Sequence, residues 1–226
     1  MPYSAHETES AVTLEPSVPA DAAVVWLHGL GADGYDFVPI VEELRLPETF
    51  AVRFIFPHAP MRPVTINNGF VMRAWYDIKG FDATVREDED GVRESERIVR
   101  NYIAEQRARG IAAERIVIAG FSQGGAIALH TALRYEEPLA GVIALSTYLP
   151  LHAMLPNEAS AVNRPVPILM CHGMQDGIVP IQMGAMSREY LTQLGYRIEW
   201  HTYPMQHSVC LDEINDISRW LQTRLA

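Results

Sequence analysis

The sequence predicts an α/β fold: a mostly parallel central sheet with helices on both faces. Short apolar runs rich in Val and Ile, such as residues 23–27 and 116–119, are typical of strands buried on both sides. Segments with helical apolar spacing alternate with these runs, and residues 211–225 are the clearest of them. This alternation indicates strand–helix–strand units, and therefore parallel strands.

The remaining elements follow from the same two periodicities. Strands are predicted at 11–15, 23–27, 50–56, 116–119, 139–145, 168–171 and 197–203. Helices are predicted at 37–44, 88–110, 181–194 and 211–225, and a helix of small residues is predicted directly after the turn 120–124. Residues 61–70 form an irregular excursion, and residues 71–77 fit neither period. A loop with apolar residues and turn chemistry is a candidate wall of a substrate pocket.

Size and charge narrow the classes of function. The 226 residues predict a polar N-terminal tail at 1–10 and a single domain at 11–226. A formal net charge of −10 argues against nucleic acid or an anionic membrane surface as the main partner. Neither a leader with a basic start and an apolar core nor a long apolar run is present, so no stable membrane insertion is expected. Two cysteines, Cys171 and Cys210, suit a cytoplasmic location and show no metal motif.

The segment Gly120-Phe-Ser-Gln-Gly124 lies between a buried strand and a helix of small residues. A serine at the centre of Gly-x-Ser-x-Gly in this setting is typical of a nucleophile elbow. The turn is expected to strain Ser122, because its backbone must take a positive φ. Side chains at the two flanking glycines would crowd the neighbouring strand and helix. Ser122 is therefore the candidate nucleophile.

A serine hydroxyl needs a base, and the base needs a group that orients it. In this type of fold the partners follow the serine in the order acid, then histidine. His207 comes just after the last strand and is the predicted base. Asp176, in a tight turn after the preceding strand, is the predicted acid. Asp212 and Glu213 follow His207 and belong to the last helix.

Six other histidines could in principle serve as the base. His58 and His172 follow strands and remain alternative bases. His130 lies too far along the elbow helix, and His201 lies inside a strand. The last two candidates, His6 and His152, lie in the tail and in a loop without a clear partner.

An oxyanion hole needs two backbone N–H groups aimed at the developing charge. Gln123, directly after the serine, is predicted to supply one of them. Leu30, in the glycine-rich loop 28–34, is predicted to supply the other. His28 and Asp33 are expected to brace that loop through hydrogen bonds.

Six motifs together resemble a known family. They are His28-Gly-Leu-Gly-Ala-Asp-Gly34, Phe56-Pro-His-Ala-Pro60, Trp75-Tyr-Asp77, Gly120-Phe-Ser-Gln-Gly-Gly125, His172-Gly-x-x-Asp176 and His207-Ser-Val-Cys210. With this set the chain resembles the bacterial carboxylesterase and acyl-protein thioesterase family of α/β hydrolases, from about the first strand to the last helix. Residues 62–69 and 72–77 resemble the bacterial carboxylesterase branch more than the eukaryotic thioesterases. Gln206 departs from the pattern, since relatives often have glycine directly before the histidine.

The resemblance implies an α/β-hydrolase fold with no large cap domain. It also implies a triad of Ser122, Asp176 and His207, an oxyanion hole formed by Leu30 and Gln123, and activity on carboxylic esters, thioesters or lysophospholipids.

An apolar acyl pocket is expected from residues on loops at the catalytic edge. These residues are Leu30, Met61, Trp75, Leu149 and Val179. Without a lid, an open cleft is expected to prefer short to medium acyl chains. The apolar stretch 61–70 could equally form the interface of a homodimer.

These observations predict a serine carboxylesterase that works through an acyl-enzyme intermediate on a small-molecule ester or thioester. No metal or organic cofactor is expected. An acyl-protein thioesterase or lysophospholipase with the same triad is the nearest alternative. A non-catalytic binding protein of the hydrolase fold is the alternative from another class, and the intact Ser122, Asp176 and His207 argue against it. Peptidase activity is conceivable, but no segment indicates a domain that would gate peptides.

Overall fold

The computed structural model describes residues 3–80 and 86–226. The strands are β1 (Tyr3–Glu7), β2 (Ala11–Pro16), β3 (Ala22–Leu27), β4 (Val52–Pro57), β5 (Met61–Val64), β6 (Phe70–Arg73), β7 (Ile116–Phe121), β8 (Gly141–Leu145), β9 (Ile168–Gly173) and β10 (Ile198–Tyr203). The α-helices are α1 (Ile40–Glu43), α2 (Glu89–Ala108), α3 (Gln123–Ala132), α4 (Leu155–Glu158), α5 (Ile181–Gln193) and α6 (Leu211–Leu225).

Eight strands form one sheet in the order β1-β2-β4-β3-β7-β8-β9-β10. From β4 to β10 the neighbouring strands are parallel. Only β2 against β4 and β1 against β2 pair antiparallel. The predicted mostly parallel sheet of the α/β-hydrolase fold is therefore confirmed.

Helices cover both faces of this sheet, which explains why its central strands β3, β7 and β8 are continuously apolar. On β3, Val25 and Leu27 belong to the core beneath α2, α3 and α5. Val24 and Trp26, which point to the opposite face, belong to the core beneath α1 and α6. Since neither face meets water, no polar residue interrupts the strand.

Three elements differ from the prediction. Tyr3–Glu7 was expected in a polar tail, but it forms β1 and pairs with β2. This expectation was wrong because four of its five residues are exposed, so no apolar alternation marks the strand. The helix expected at 37–44 is shorter, spanning Ile40–Glu43. The excursion at 61–70 begins a hairpin of β5 and β6, which turns at Asn68 and Gly69 with φ of 56° and 74°.

The parallel strands end at a common edge, and the loops after β3, β7, β8, β9 and β10 meet there. Ser122, Asp176, His207 and the two predicted oxyanion residues, Leu30 and Gln123, lie in those loops or in the first turn of α3. Across residues 3–80 and 86–226, no helix is long and apolar enough to cross a membrane.

Glu213, at the third position of α6, is a buried carboxylic acid with no catalytic motif around it. It is 0% exposed, and neither side-chain oxygen has a hydrogen-bond partner among the described residues. Burial raises the pKa of Glu213 to about 8, and the negative charge of Asp216 adds to this effect. The side chain is therefore mostly protonated in the folded chain at neutral pH.

Because Glu213 is buried, the free energy of unfolding should depend on pH. The carboxyl loses its proton near pH 4.5 in the unfolded chain but only near pH 8 in the folded chain, so its contribution to stability falls as pH rises through that window. Glu213→Gln should remove this loss and raise the melting temperature at pH 8.5, by about 2–4 °C per kcal/mol regained. Thermal unfolding of both proteins at pH 5.5 and pH 8.5 checks this. An equal effect of the substitution at both pH values would contradict it.

Candidate active site

The turn between β7 and α3 holds Ser122 in the strained conformation that the sequence predicts. Its φ is 54° and its ψ is −121°. The Ser122 N–H donates to the Leu145 carbonyl at 2.8 Å, and its own carbonyl accepts from Thr147 Oγ1 at 2.6 Å. A Cβ on Gly124 would lie 2.4 Å from the Leu27 carbonyl oxygen, so only glycine allows this approach. These contacts hold the strained backbone in place, with the Ser122 hydroxyl at the edge of the sheet.

The structure brings the three predicted catalytic side chains together. His207 Nε2 lies 2.9 Å from Ser122 Oγ, and His207 Nδ1 lies 2.7 Å from Asp176 Oδ2. The other Asp176 oxygen accepts from the N–H groups of Ile178 and Val179, at 2.9 and 2.8 Å. An ionised Asp176 accepts the Nδ1 proton, which leaves Nε2 free to take the proton of the serine.

The two alternative bases lie elsewhere. His172 Nε2 donates to the Val179 carbonyl at 2.8 Å and lies 3.6 Å from Asp176 Oδ2. Burial lowers the pKa of His172, so the ring is neutral and supports the turn that holds Asp176. His58 Nδ1 accepts from the Gly34 N–H at 3.0 Å and supports the glycine-rich loop.

The two predicted oxyanion donors share a cavity with Ser122 and His207. Gln123 begins α3, and the first N–H groups of a helix have no partner within it. Leu30 lies in the loop after β3, and both residues line the cavity. Both predicted donor residues thus border the cavity beside the serine.

His28 braces the glycine-rich loop, as the sequence predicts. Its Nδ1 donates to the Gly29 carbonyl at 2.6 Å, and its Nε2 accepts from the Ala59 N–H at 3.0 Å. Burial lowers the pKa of His28 to about 4, so the ring is neutral at pH 7. Asp33 accepts from the Tyr35 N–H at 2.8 Å and caps the turn.

The Gln123 side chain has a second role that sequence reasoning missed. Its Oε1 accepts from the Trp75 N–H, and its Nε2 donates to the Tyr76 carbonyl, both at 2.7 Å. The Trp75 indole N–H donates in turn to the His28 carbonyl at 2.9 Å. These bonds tie the segment after β6 to both oxyanion loops.

A cavity of about 570 Å³ opens beside Ser122. Of the predicted wall, Leu30 and Val179 line it. The other three predicted residues lie elsewhere. Trp75 is fully buried beneath His28, Leu149 is buried in the core, and Met61 is exposed on β5, outside the cavity.

The wall is formed mainly by apolar and aromatic residues that the sequence did not single out. They are Ile66, Tyr76, Ile78, Phe121, Tyr148 and Ile178. The hydroxyl groups of Tyr76 and Tyr148 are 2.8 Å apart, and burial raises the pKa of Tyr148 to about 12. Both phenols therefore stay neutral. In the sequence, Tyr148 is marked only by its position shortly after the predicted strand 139–145. Tyr76 is marked only by its place in the stretch 71–77, which fits neither period.

Two further observations concern the surroundings of His207 and the metal-binding capacity of the chain. The side chain of Gln206, which departs from the family pattern, is exposed beside His207. Within the described ranges, no group of three or more His, Cys, Asp or Glu side chains is placed to hold a metal ion.

Comparison with known proteins decides the family. The family model described as Phospholipase/Carboxylesterase matches residues 8–225. The chain belongs to this family. It is 40% identical over 213 residues to acyl-protein thioesterase 1 of Neurospora crassa, covering 90% of this chain and 87% of the relative. It is 38% identical to acyl-protein thioesterase 1 of Gibberella zeae, covering 90% and 91%.

Solved structures agree with this assignment. The crystal structure of Arabidopsis thaliana SOBER1 has a TM-score of 0.86 at 33% identity, covering 91% of this chain and 99% of that one. The Zea mays acyl-protein thioesterase 2 structure has a TM-score of 0.86 at 29% identity, covering 96% and 99%. The chain is a serine hydrolase of the phospholipase/carboxylesterase family.

The same substitution at His207, His172 and His58 can show which of the three histidines acts as the base. His207→Gln should lower kcat by about 10²–10⁴-fold, because general acid–base transfer is lost. His172→Gln and His58→Gln should each retain most of the activity, since these rings support loops rather than contact Ser122. Steady-state hydrolysis of p-nitrophenyl butyrate, with circular dichroism to verify folding, checks this. A loss as large for either His58→Gln or His172→Gln, in a folded protein, would move the base to that residue.

Proposed function

We propose that this chain is an acyl-protein thioesterase that also cleaves carboxylic esters. Ser122 acts as the nucleophile, His207 as the base and Asp176 as the group that orients it. The observation that carries the proposal is the largely apolar cavity that opens directly at Ser122. Such a cavity suits an alkyl chain, because each buried methylene contributes about 0.8 kcal/mol.

The choice between thioesterase and short-chain carboxylesterase rests on the relatives. Three acyl-protein thioesterases of fungi are 34–40% identical to nearly the whole chain. The sequence motifs favour the bacterial carboxylesterase branch, and the expected absence of a lid favours short to medium acyl chains. The thioesterase, which was the alternative there, is the function supported better by these relatives.

The first half of the reaction transfers the acyl group to the enzyme. Ser122 Oγ attacks the thioester carbonyl carbon while its proton moves to His207 Nε2. The N–H groups of Leu30 and Gln123 stabilise the resulting oxyanion. When the C–S bond breaks, the imidazolium returns that proton to the departing thiolate, and an acyl-serine ester remains.

The second half releases the acid by the same groups. His207 Nε2 takes a proton from a water molecule, whose oxygen attacks the acyl carbon. The C–Oγ bond then breaks, and Ser122 Oγ takes the proton back from the imidazolium. Throughout, Asp176 holds the ring in one orientation and stabilises its positive charge.

The cell compartment and the assembly remain proposals from the sequence. Cys171 and Cys210 are both free, which suits a reducing cytoplasm. The hairpin of β5 and β6 exposes Met61, Phe70 and Val71, and we propose it as a homodimer interface.

The reaction and its chain-length preference can be measured together. Wild type should hydrolyse both p-nitrophenyl esters and matched acyl thioesters, with kcat/KM rising by up to about fourfold for each methylene that the cavity buries. Ser122→Ala should lose activity on both series. A maximum at acetate, with thioesters cleaved no better than esters, would favour the short-chain carboxylesterase instead. No activity on either series in folded protein would favour a binding protein.

A larger side chain in the cavity wall should shorten the acyl chain that the protein prefers in its substrate. Ile78→Trp adds a large side chain to the wall away from the catalytic bonds. It should lower kcat/KM for dodecanoyl substrates at least about tenfold, since burial of several methylenes is lost, and leave acetyl substrates within about twofold. The chain-length series on this variant checks it, with Ile214→Val on α6 as a distant control. An equal loss for both chain lengths would place the acyl chain elsewhere.

A further inference from the structure

Phe121, the residue between Gly120 and Ser122, has no role in the triad or the oxyanion hole, yet its ring contacts the proposed base. It is the last residue of β7 and lines the cavity together with Ser122 and His207. The centroids of the Phe121 and His207 rings lie 4.7 Å apart, with an angle of 42° between the ring planes. Two rings that meet edge to edge in one plane keep their centroids about 6 Å or more apart, because carbon atoms approach only to about 3.5 Å. At least one of the two rings therefore presents its face to the other.

The Phe121 ring is held in place by other aromatic rings of the core. It lies 5.7 Å from the ring of Phe37, which stacks on Trp26 at 5.4 Å. Both Phe37 and Trp26 are buried in the core beneath α1 and α6. Gly29 packs beside the same ring, since a Cβ there would lie 3.3 Å from Phe121 Cδ1. The contact with His207 is therefore maintained by packing that does not depend on a substrate.

The proposed reaction places a positive charge on the ring that Phe121 contacts. When Ser122 Oγ bonds to the acyl carbon, its proton moves to His207 Nε2, while Nδ1 keeps its own proton. The imidazolium carries one positive charge until Nε2 passes the proton to the leaving group. The face of an aromatic ring attracts a cation that lies within about 6 Å of its centroid, and the distance here is 4.7 Å. The His207 side chain is only 15% exposed, so water screens the attraction weakly.

We propose that Phe121 is a positioning residue that stabilises the His207 imidazolium through the face of its ring. The proposal rests on the acyl transfer proposed above, in which His207 is the base, and assigns a further residue to that step. Asp176 acts on the edge of the imidazole that carries Nδ1, and Phe121 adds an attraction that does not use a hydrogen bond. An edge of Phe121 turned to His207 would have the opposite effect, because the edge of an aromatic ring is positive.

The other polar groups around His207 act independently of this ring. Asp176 Oδ2 lies 2.7 Å from Nδ1, and Ser122 Oγ lies 2.9 Å from Nε2. His172 lies 3.6 Å from the same Asp176 oxygen and is neutral, because burial lowers its pKa. Among the described residues that line the cavity, the only Asp or Glu is Asp36. A change confined to the electrons of the aromatic ring leaves these four groups in place.

Fluorinated analogues of Phe121 test the proposal, because fluorine withdraws electrons from the face of the ring and changes its shape little. Phenylalanine with one, two or three ring fluorines is incorporated at position 121. The same series at Phe54 is the control, since this residue is buried on β4, where its ring contacts Tyr3 and Phe56. The first measurement is the pH profile of p-nitrophenyl butyrate hydrolysis. The second is the NMR titration of His207 without substrate, with its signal identified by its absence from His207→Gln.

Added fluorines at position 121 should lower the pH midpoint at which His207 takes up a proton, by about 0.3–1 pH unit over the series. The plateau value of kcat should fall by about 2–10-fold, because the imidazolium forms less readily, while KM changes less than about twofold. Phe121→Leu should change both properties in the same direction, Phe121→Tyr should keep them, and the Phe54 series should change neither.

A midpoint that stays constant or rises as fluorines are added at position 121 would overturn the proposal, as would an equal shift in the Phe54 series. If wild type cleaves neither esters nor thioesters, the proposed function fails. The NMR titration, which needs no substrate, then still decides whether Phe121 stabilises the cation.

Discussion

The close approach of the elbow to β3 is the constraint on which the rest of the site depends. Gly124 packs its backbone against the Leu27 carbonyl, where even a methyl group would lie 2.4 Å from the oxygen. This contact brings the loop after β3 beside the first turn of α3. Leu30 in that loop and Gln123 in that turn line one cavity together with Ser122.

A second set of contacts holds Asp176 and His207, the proposed acid and base. Asp176 is fixed by the N–H groups of Ile178 and Val179, and His172 fixes the Val179 carbonyl in turn. The carboxylate is therefore oriented before any substrate binds, and the ring of His207 is held between it and Ser122. Preorganised dipoles of this kind need no rearrangement during the reaction, which is why they are effective in catalysis.

Features set by local chemistry could be predicted, and features set by packing could not. Ser122, Asp176 and His207 each follow a strand in a fixed chain order, so the sequence alone indicates them. Trp75 is different, because an aromatic residue on a loop has the same sequence signature whether its ring faces a cavity or is buried. The bond from its indole N–H to the His28 carbonyl decides this, and only the folded chain shows it. The strand at Tyr3–Glu7 could not be predicted, because it pairs through backbone groups and most of its side chains are exposed.

Gln123 connects the predicted oxyanion hole with the wall of the cavity. Its backbone N–H is a predicted oxyanion donor, while its buried side-chain amide accepts from the Trp75 N–H and donates to the Tyr76 carbonyl. Tyr76 is in turn part of the wall against which we place the acyl chain. One buried side chain therefore fixes the Tyr76 part of the cavity wall relative to the start of α3, so the two cannot shift independently without breaking these hydrogen bonds.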